Sequence, residues 1–244
     1  IVIAAQSKAD ANRFVELGAS PERTHVIGNI KFDIEIDDKL IKHGKEIRKR
    51  LFRDRLVWIA ASTHEGEEKK ILDAHRILLK NFPDLLLIIA PRHPERFSKV
   101  KDLIEKSSFN LLSRTGFEKT DCYEVFLLDT MGEVTLFFAA SDIVFIGGSL
   151  VPIGGHNILE PAIQGLPIII GPYFSNSEEV VDEFVEDDAC LVVENESKLA
   201  MDISALLYDS AKAESMGQKG LKIVRKNKGA IERLLHILNP ILKI

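Results

Sequence analysis

The chain has little cysteine: Cys122 and Cys190 are the only two in 244 residues, far apart and without Cys-x-x-Cys or His/Cys ligand spacing. That gives neither a disulfide framework nor a zinc site, and leaves a reducing cytoplasm as the default compartment. A basic excess is lacking too, since 32 Lys and Arg against 37 Asp and Glu leave a net charge of -5. Such a balance argues against nucleic acid as a partner, which needs cationic side chains to displace counterions. No apolar run approaches the roughly 20 residues that span a bilayer. The opening "IVIAAQSKADANRF" has no basic n-region of a signal peptide and no initial Met. Starting inside a strand-like run, it reads as a piece of something longer from which a targeting segment could be lost. Also missing are G-x-G-x-x-G, G-x-x-x-x-G-K-[ST], an Asp-x-Asp pair with an obvious metal role, repeats and low-complexity segments.

What is there is a globular composition, 45% hydrophobic, long enough to bury a sizeable core. Short apolar runs alternate with amphipathic stretches, the pattern of an α/β protein with a parallel sheet covered by helices on both faces. Strands are expected at Ile1–Ala5, Thr24–Ile27, Leu56–Ala60, Leu85–Ala90, Val125–Leu128, Ile143–Ile146, Pro167–Ile170 and Cys190–Val193. Helices are expected at about Lys8–Leu17, Asp38–Phe52, Gly66–Asn81, Pro94–Ser107, Gly132–Ala140, Ile158–Gln164, Asn176–Glu186 and Ser197–Tyr208, with one long terminal helix from Ala211. "GNIKFDIEIDD", Gly28 to Asp38, has no periodicity and reads as a linker.

Unusual polar residues follow the apolar runs. "WIAASTHEGEE" places Ser62, Thr63 and His64 after one strand, and "LLLIIAPRHPERF" places Arg92 and His93 after the next. "FLLDTMGEVTLFF" puts Thr130 to Glu133 after a third, and "FIGGSLVPIGGHNILEPA" puts Asn157 and Glu160 after a fourth. Ligands of open α/β sheets bind outside the carboxyl ends of the strands, near helix N-termini. The paired glycines read as places where something must approach the backbone closely.

Each motif has a plainer reading. "TMGE" and "NILE" both fit a capping box, in which Thr130 or Asn157 caps the first turn and Glu133 or Glu160 reaches back to its amide. Arg92, directly after a buried strand, suits bidentate binding of phosphate or carboxylate, or else pairs with a structural carboxylate. His64 alone is weak evidence. His25, His43, His75 and His236 read as lying on surface or helical faces without a role.

Together, "GNIKFD", "STHEGEE", "PRHPERF", "DTMGE" and "GGSL…GGHNILEPA" resemble, in family order, the Kdo transferases, which add 3-deoxy-D-manno-oct-2-ulosonic acid to the lipid A precursor in Gram-negative bacteria. The resemblance implies a GT-B glycosyltransferase of two Rossmann-like domains, of which this chain resembles the C-terminal, donor-binding half. Residues 1–30 would be the last strand-helix segment of the N-terminal domain and the start of the connection, 31–38 the linker, and 39–244 the donor-binding domain with its terminal helix. The family inverts the anomeric centre, uses CMP-Kdo as donor substrate, and needs no cofactor or bound metal.

Carried onto this sequence, the CMP contacts are Pro91, Arg92, Met131, Gly132, Glu133, Asn157, Ile158, Leu159 and Glu160. Ser62, His64, His93 and Gly155 form a second tier. Arg92 would pair with the phosphate, Glu160 with the ribose hydroxyls, and the Met131–Glu133 backbone with the cytosine edge. Lys31 would stabilise charge on the departing CMP, while the general base is a glutamate of the N-terminal domain and is absent from this chain. Implied partners are the lipid A precursor and the chain's own N-terminal domain; the full-length protein would work on the cytoplasmic side of the inner membrane, with this chain itself soluble.

Two stretches depart from the family pattern: Tyr173 to Ser177 replace a histidine followed by Asn-Phe, and Pro152 and Ile153 stand where a charge is common. Another GT-B enzyme using a UDP-sugar, or a nucleotide-binding module without catalysis, remain alternative readings. The tail 211–244 carries eight Lys and Arg against two Glu. Its apolar Leu221, Val224, Leu234, Leu235 and Leu238 fit an amphipathic helix that docks on the N-terminal domain or touches anionic lipid.

Overall fold

A computed structural model describes residues 1–116 and 122–242. Two compact units form, Ile1–Glu35 with Lys222–Ile244, and Ile36–Leu221.

In the smaller unit, β1 (Ile3–Ala5) pairs in parallel with β2 (Thr24–Val26) across α1 (Lys8–Glu16), whose first turn is capped by the Ser7 hydroxyl accepting from Asp10 N at 3.1 Å. The expected linker is partly ordered as a short 3₁₀ turn, Ile30–Phe32, with Phe32 buried. Asp33 Oδ2 then accepts from Ile231 N at 2.6 Å, tying this turn to the start of the last helix. The expected single terminal helix is two, broken at Gly229 (φ 93°), a left-handed conformation that side chains disfavour.

The larger unit is one seven-stranded, wholly parallel sheet. Its strands are β3 (Val57–Thr63), β4 (Leu86–Pro91), β5 (Leu111–Ser113), β6 (Val125–Leu127), β7 (Ile143–Ile146), β8 (Ile168–Ile170) and β9 (Cys190–Val192), in the order β5-β6-β4-β3-β7-β8-β9. Of these, β5 was not expected. Around them run α2 (Asp38–Ile47), α3 (Glu68–Leu78), α4 (Phe97–Lys106), α5 (Val134–Phe138), α6 (Leu159–Ile163), α7 (Glu178–Glu186) and α8 (Glu196–Tyr208). The terminal pair is α9 (Ser210–Asn227) and α10 (Ala230–Leu242). Parallel strands covered on both faces need side chains apolar on both faces, and β4 and β7 are buried at every position.

His75, read as lying on a surface or helical face, is on α3 and fully buried. Its Nδ1 accepts from Trp58 Nε1 at 3.2 Å and its Nε2 donates to Glu124 O at 3.0 Å, so the neutral ring is satisfied. Burial holds its pKa at about 3. Asp142 Oδ2 accepts from both Arg48 Nη2 and Val57 N at 2.8 Å, locking α2 against the start of β3.

The chain leaves β3 for β4 on one side and later returns to place β7 on the other. A crevice opens where the winding reverses, outside the carboxyl ends of these strands.

Candidate functional site

At that crevice lies a cleft of about 410 Å³. Ala61, Val134, Phe138 and Ile146 give it an apolar wall; Ser62, Arg92, Thr130, Thr135, His156, Asn157 and Glu160 give it polar groups. Pro91, Met131 and Gly132 complete it. Ser62 reaches the cleft because the β3–β4 register shifts between Ala61 and Thr63, and Ser62 takes a positive φ of 58° at the irregularity.

Arg92 follows β4, fixed by its N–H donating to Thr63 O at 3.0 Å. Its side chain is exposed, and among the described residues no carboxylate pairs with it. The neighbouring Arg96 behaves oppositely, donating to Glu68 Oε1 at 2.9 Å and Glu65 Oε2 at 3.3 Å. Of the two readings of Arg92, the structural ion pair is the one that fails.

Neither expected capping box forms as written. Helix α5 begins at Val134, not Gly132, and Glu133 occupies its N-cap position without a side-chain cap. Its carboxylate instead accepts a bidentate pair from Arg114, Nε at 3.0 Å and Nη2 at 2.9 Å, together with the Thr130 hydroxyl. The Arg114 hydrogen bonds hold the Glu133 carboxyl below its usual value. In "NILE" the box is half made: Asn157 Oδ1 accepts from Leu159 N at 3.0 Å. Glu160 does not return to the Asn157 amide. It accepts from Asn157 Nδ2 at 3.2 Å and from Thr135 Oγ1 at 2.7 Å, with its carboxylate on the cleft wall.

The glycines admit the chain's own neighbours. A Cβ on Gly147 would lie 2.5 Å from Ser62 O, and one on Gly148 (φ 69°) would lie 3.1 Å from the His156 ring. Gly155 is off the cleft, its carbonyl accepting from Asn176 Nδ2 at 3.2 Å.

Thus Pro91, Arg92, Met131, Gly132, Asn157, Glu160 and Ser62 come together on the cleft, whereas Glu133, Ile158, Leu159, His64, His93 and Gly155 are not on its lining. Ile158 and Leu159 are buried, leaving only backbone to offer. Lys31 belongs to the smaller unit, exposed on the 3₁₀ turn with its N–H donating to Asn29 Oδ1 at 3.0 Å.

Three residues passed unnoticed in the sequence. Thr135 steers Glu160. His156, between Gly155 and Asn157, puts Nε2 2.7 Å from His64 Nε2 with the rings stacked 4.9 Å apart. Glu67, fully buried, accepts at one oxygen from His64 N (2.9 Å) and Gly148 N (2.7 Å) and at the other from Ser149 N (3.1 Å) and Leu150 N (3.0 Å). Burial pushes its carboxyl up against the pull of those amides. The signal for Glu67 was the acidic run in "STHEGEE"; for His156 it was mere adjacency to Asn157. Among the described residues, no group of three or more His, Cys, Asp or Glu is placed to hold a metal ion.

Known proteins are similar to this chain. A family model described as 3-deoxy-D-manno-octulosonic-acid transferase (kdotransferase) matches residues 1–34. The 3-deoxy-D-manno-octulosonic acid transferase of Haemophilus influenzae is 41% identical over 99% of this chain and 57% of its own. A solved structure, the C-terminal CMP-Kdo binding domain of WaaA from Acinetobacter baumannii, is 32% identical with a TM-score of 0.73, covering 77% of this chain and 99% of that one. The chain belongs to the Kdo transferase family. It spans little more than half the length of its Haemophilus relative, 57%. Anabaena Alr3699/HepE, solved with UDP and glucose, is 19% identical with a TM-score of 0.61 over 100% of this chain and 63% of that one, which shows a common fold. As a Kdo transferase family member the chain has the GT-B type of α/β architecture expected from its sequence.

Proposed function

We propose that this chain is the donor-binding half of a glycosyltransferase that moves Kdo from CMP-Kdo to a lipid A precursor. The observation that carries the reading is that an arginine without a carboxylate partner among the described residues and a glutamate held by Thr135 and Asn157 share one cleft at the switch point of the sheet. A cation for phosphate and an acceptor for ribose hydroxyls are what a nucleotide monophosphate needs.

In this reading Arg92 binds the CMP phosphate. Glu160 accepts from the ribose hydroxyls, and Thr135 and Asn157 hold it so that little rotamer freedom is lost on binding. The Met131–Gly132 backbone, where Gly132 has φ 80°, offers peptide groups to the cytosine edge. Glu133 then acts at one remove, through Arg114 and Thr130, by fixing that loop. Lys31 neutralises charge gathering on the leaving phosphate, and an acceptor domain with its glutamate base completes an inverting, metal-independent transfer. The full-length enzyme works at the cytoplasmic face of the inner membrane, where its acceptor lies; among the described residues no helix is long and apolar enough to cross a membrane.

Titration calorimetry with CMP, UMP and UDP tests the donor. CMP is expected to bind most tightly, and tighter binding of UDP would move the protein to the UDP-sugar enzymes.

A further inference from the structure

Beside Arg92, just outside the polar set already used, stands a group of imidazoles that phosphate and ribose leave unexplained. His64 and His156 stack with an interplanar angle of 11°, and His93 meets His64 edge-on with centroids 5.3 Å apart. His156 lines the cleft with Arg92.

The pair is built rather than incidental. Gly148 lies beneath it, where a Cβ would come within 3.1 Å of His156 and 3.4 Å of His64. One Glu67 oxygen accepts the amides of both His64 and Gly148, fixing the backbone on either side of the rings. Such second-layer support is what a binding group needs to hold its geometry.

Burial, with the Arg92 guanidinium adding to it, holds His156 at about 4, and burial with the Arg96 and Arg92 guanidiniums lowers His64, so the charged form of both rings is disfavoured. Two neutral imidazoles carry two N–H groups. One is used in the 2.7 Å contact between the Nε2 atoms. The accepting ring must therefore carry its proton on Nδ1, and among the described residues that N–H has no acceptor.

We infer that the His64–His156 pair is the subsite for the carboxylate of the donor sugar. An ulosonic acid bears its carboxylate on the anomeric carbon, the same carbon that carries the phosphate in the activated donor. Two anionic groups then arrive side by side, and Arg92 in its single position serves one of them. With His64 donating and His156, the ring on the cleft lining, accepting, the spare Nδ1–H belongs to His156 and serves the other. Sugars activated through an aldehyde carbon have no such carboxylate, so the pair reads the sugar where the rest of the cleft reads the nucleotide. This rests on the CMP-Kdo reading above.

The test measures affinities of the full chain for CMP and for CMP-Kdo. His64→Gln and His156→Gln are each expected to weaken CMP-Kdo about tenfold, the scale of one hydrogen bond to a charged group, while CMP stays within about twofold. Unaltered CMP binding also reports that each variant is folded. On the wild type, the carboxamide analogue of CMP-Kdo is expected to bind as weakly as CMP-Kdo binds the variants. Equal wild-type affinity for acid and amide overturns the inference, as does an equal loss of CMP and CMP-Kdo in the variants, which assigns the pair to the phosphate. Failure of the wild type to bind CMP strikes the donor reading itself.

Discussion

Two loops of the cleft carry nearly the same signature and end in opposite states. Both "TMGE" and "NILE" place a polar residue three positions before a glutamate at a helix start. In the first, Glu133 turns to Arg114 and Thr130, and the cleft receives only Met131 and Gly132. In the second, Glu160 is steered by Asn157 and Thr135 and stays on the cleft wall. The difference comes from what lies opposite: β5 ends beside Arg114, whereas among the described residues the partner across from Glu160 is a threonine hydroxyl. A glutamate with a cation of its own is tied into the fold, and one held by neutral donors on the cleft wall stays open to a visitor. The same division separates Arg114 from Arg92.

The largest effect is expected at the arginines. Arg92→Ala should weaken CMP by about tenfold to a hundredfold, about 1.5–3 kcal/mol, with an unchanged melting temperature. Arg114→Ala should mainly lower the melting temperature, with CMP weakened no more than about threefold through the loosened Met131–Gly132 loop, and calorimetric titration with thermal melts of both variants reads the contrast. Glu160→Gln comes next: an amide accepts more weakly than a carboxylate, so CMP should weaken about threefold to tenfold with near-normal stability. A smaller change is expected for Glu133→Gln, about 1 kcal/mol of stability in urea unfolding, with CMP held within about threefold. Loss of CMP binding there and none at Glu160 would invert the comparison.

The smallest effect is one of pH. Because the folded Glu133 carboxyl lies below its ordinary value of 4.5, the stability it contributes is present above that pH and is lost as pH falls through the folded value. Wild type and Glu133→Gln should therefore converge in urea midpoint as pH drops below about 4.5. A gap that stays constant down to acid unfolding would show that the pair adds nothing through its charge.

Most of the sheet was legible because fully buried parallel strands are apolar at every position, as in "LLLIIA" and "IVFI". Strand β5 was not, since three residues at an edge, one of them Ser113, leave no periodicity to see. The break at Gly229 was written in "NKGA", but a lone glycine inside a helical pattern does not announce its φ. On the site, Arg92 and Glu160 stood out by following strands. Glu67 and His156 did not, because their partners lie 81 to 92 residues away in the chain. His75 was misread for the same reason: nothing in its own helix tells that Trp58 and the Glu124 carbonyl wait for it.

The Glu67 carboxylate joins the start of α3 to a loop after β7, taking three consecutive amides, Gly148 to Leu150, out of solvent. Those N–H groups belong to no helix or strand, yet they can meet deuterium only when Glu67 lets go. Letting go strands a buried charge, which costs more than fraying a turn. Segments that connect strands commonly exchange within the first moments of a labelling experiment. Here the stretch "GSL" should instead keep its protons about as long as the neighbouring strand β7, and Glu67→Gln should shorten that time for all three amides together. This loop would then be one of the slowest clocks in the molecule.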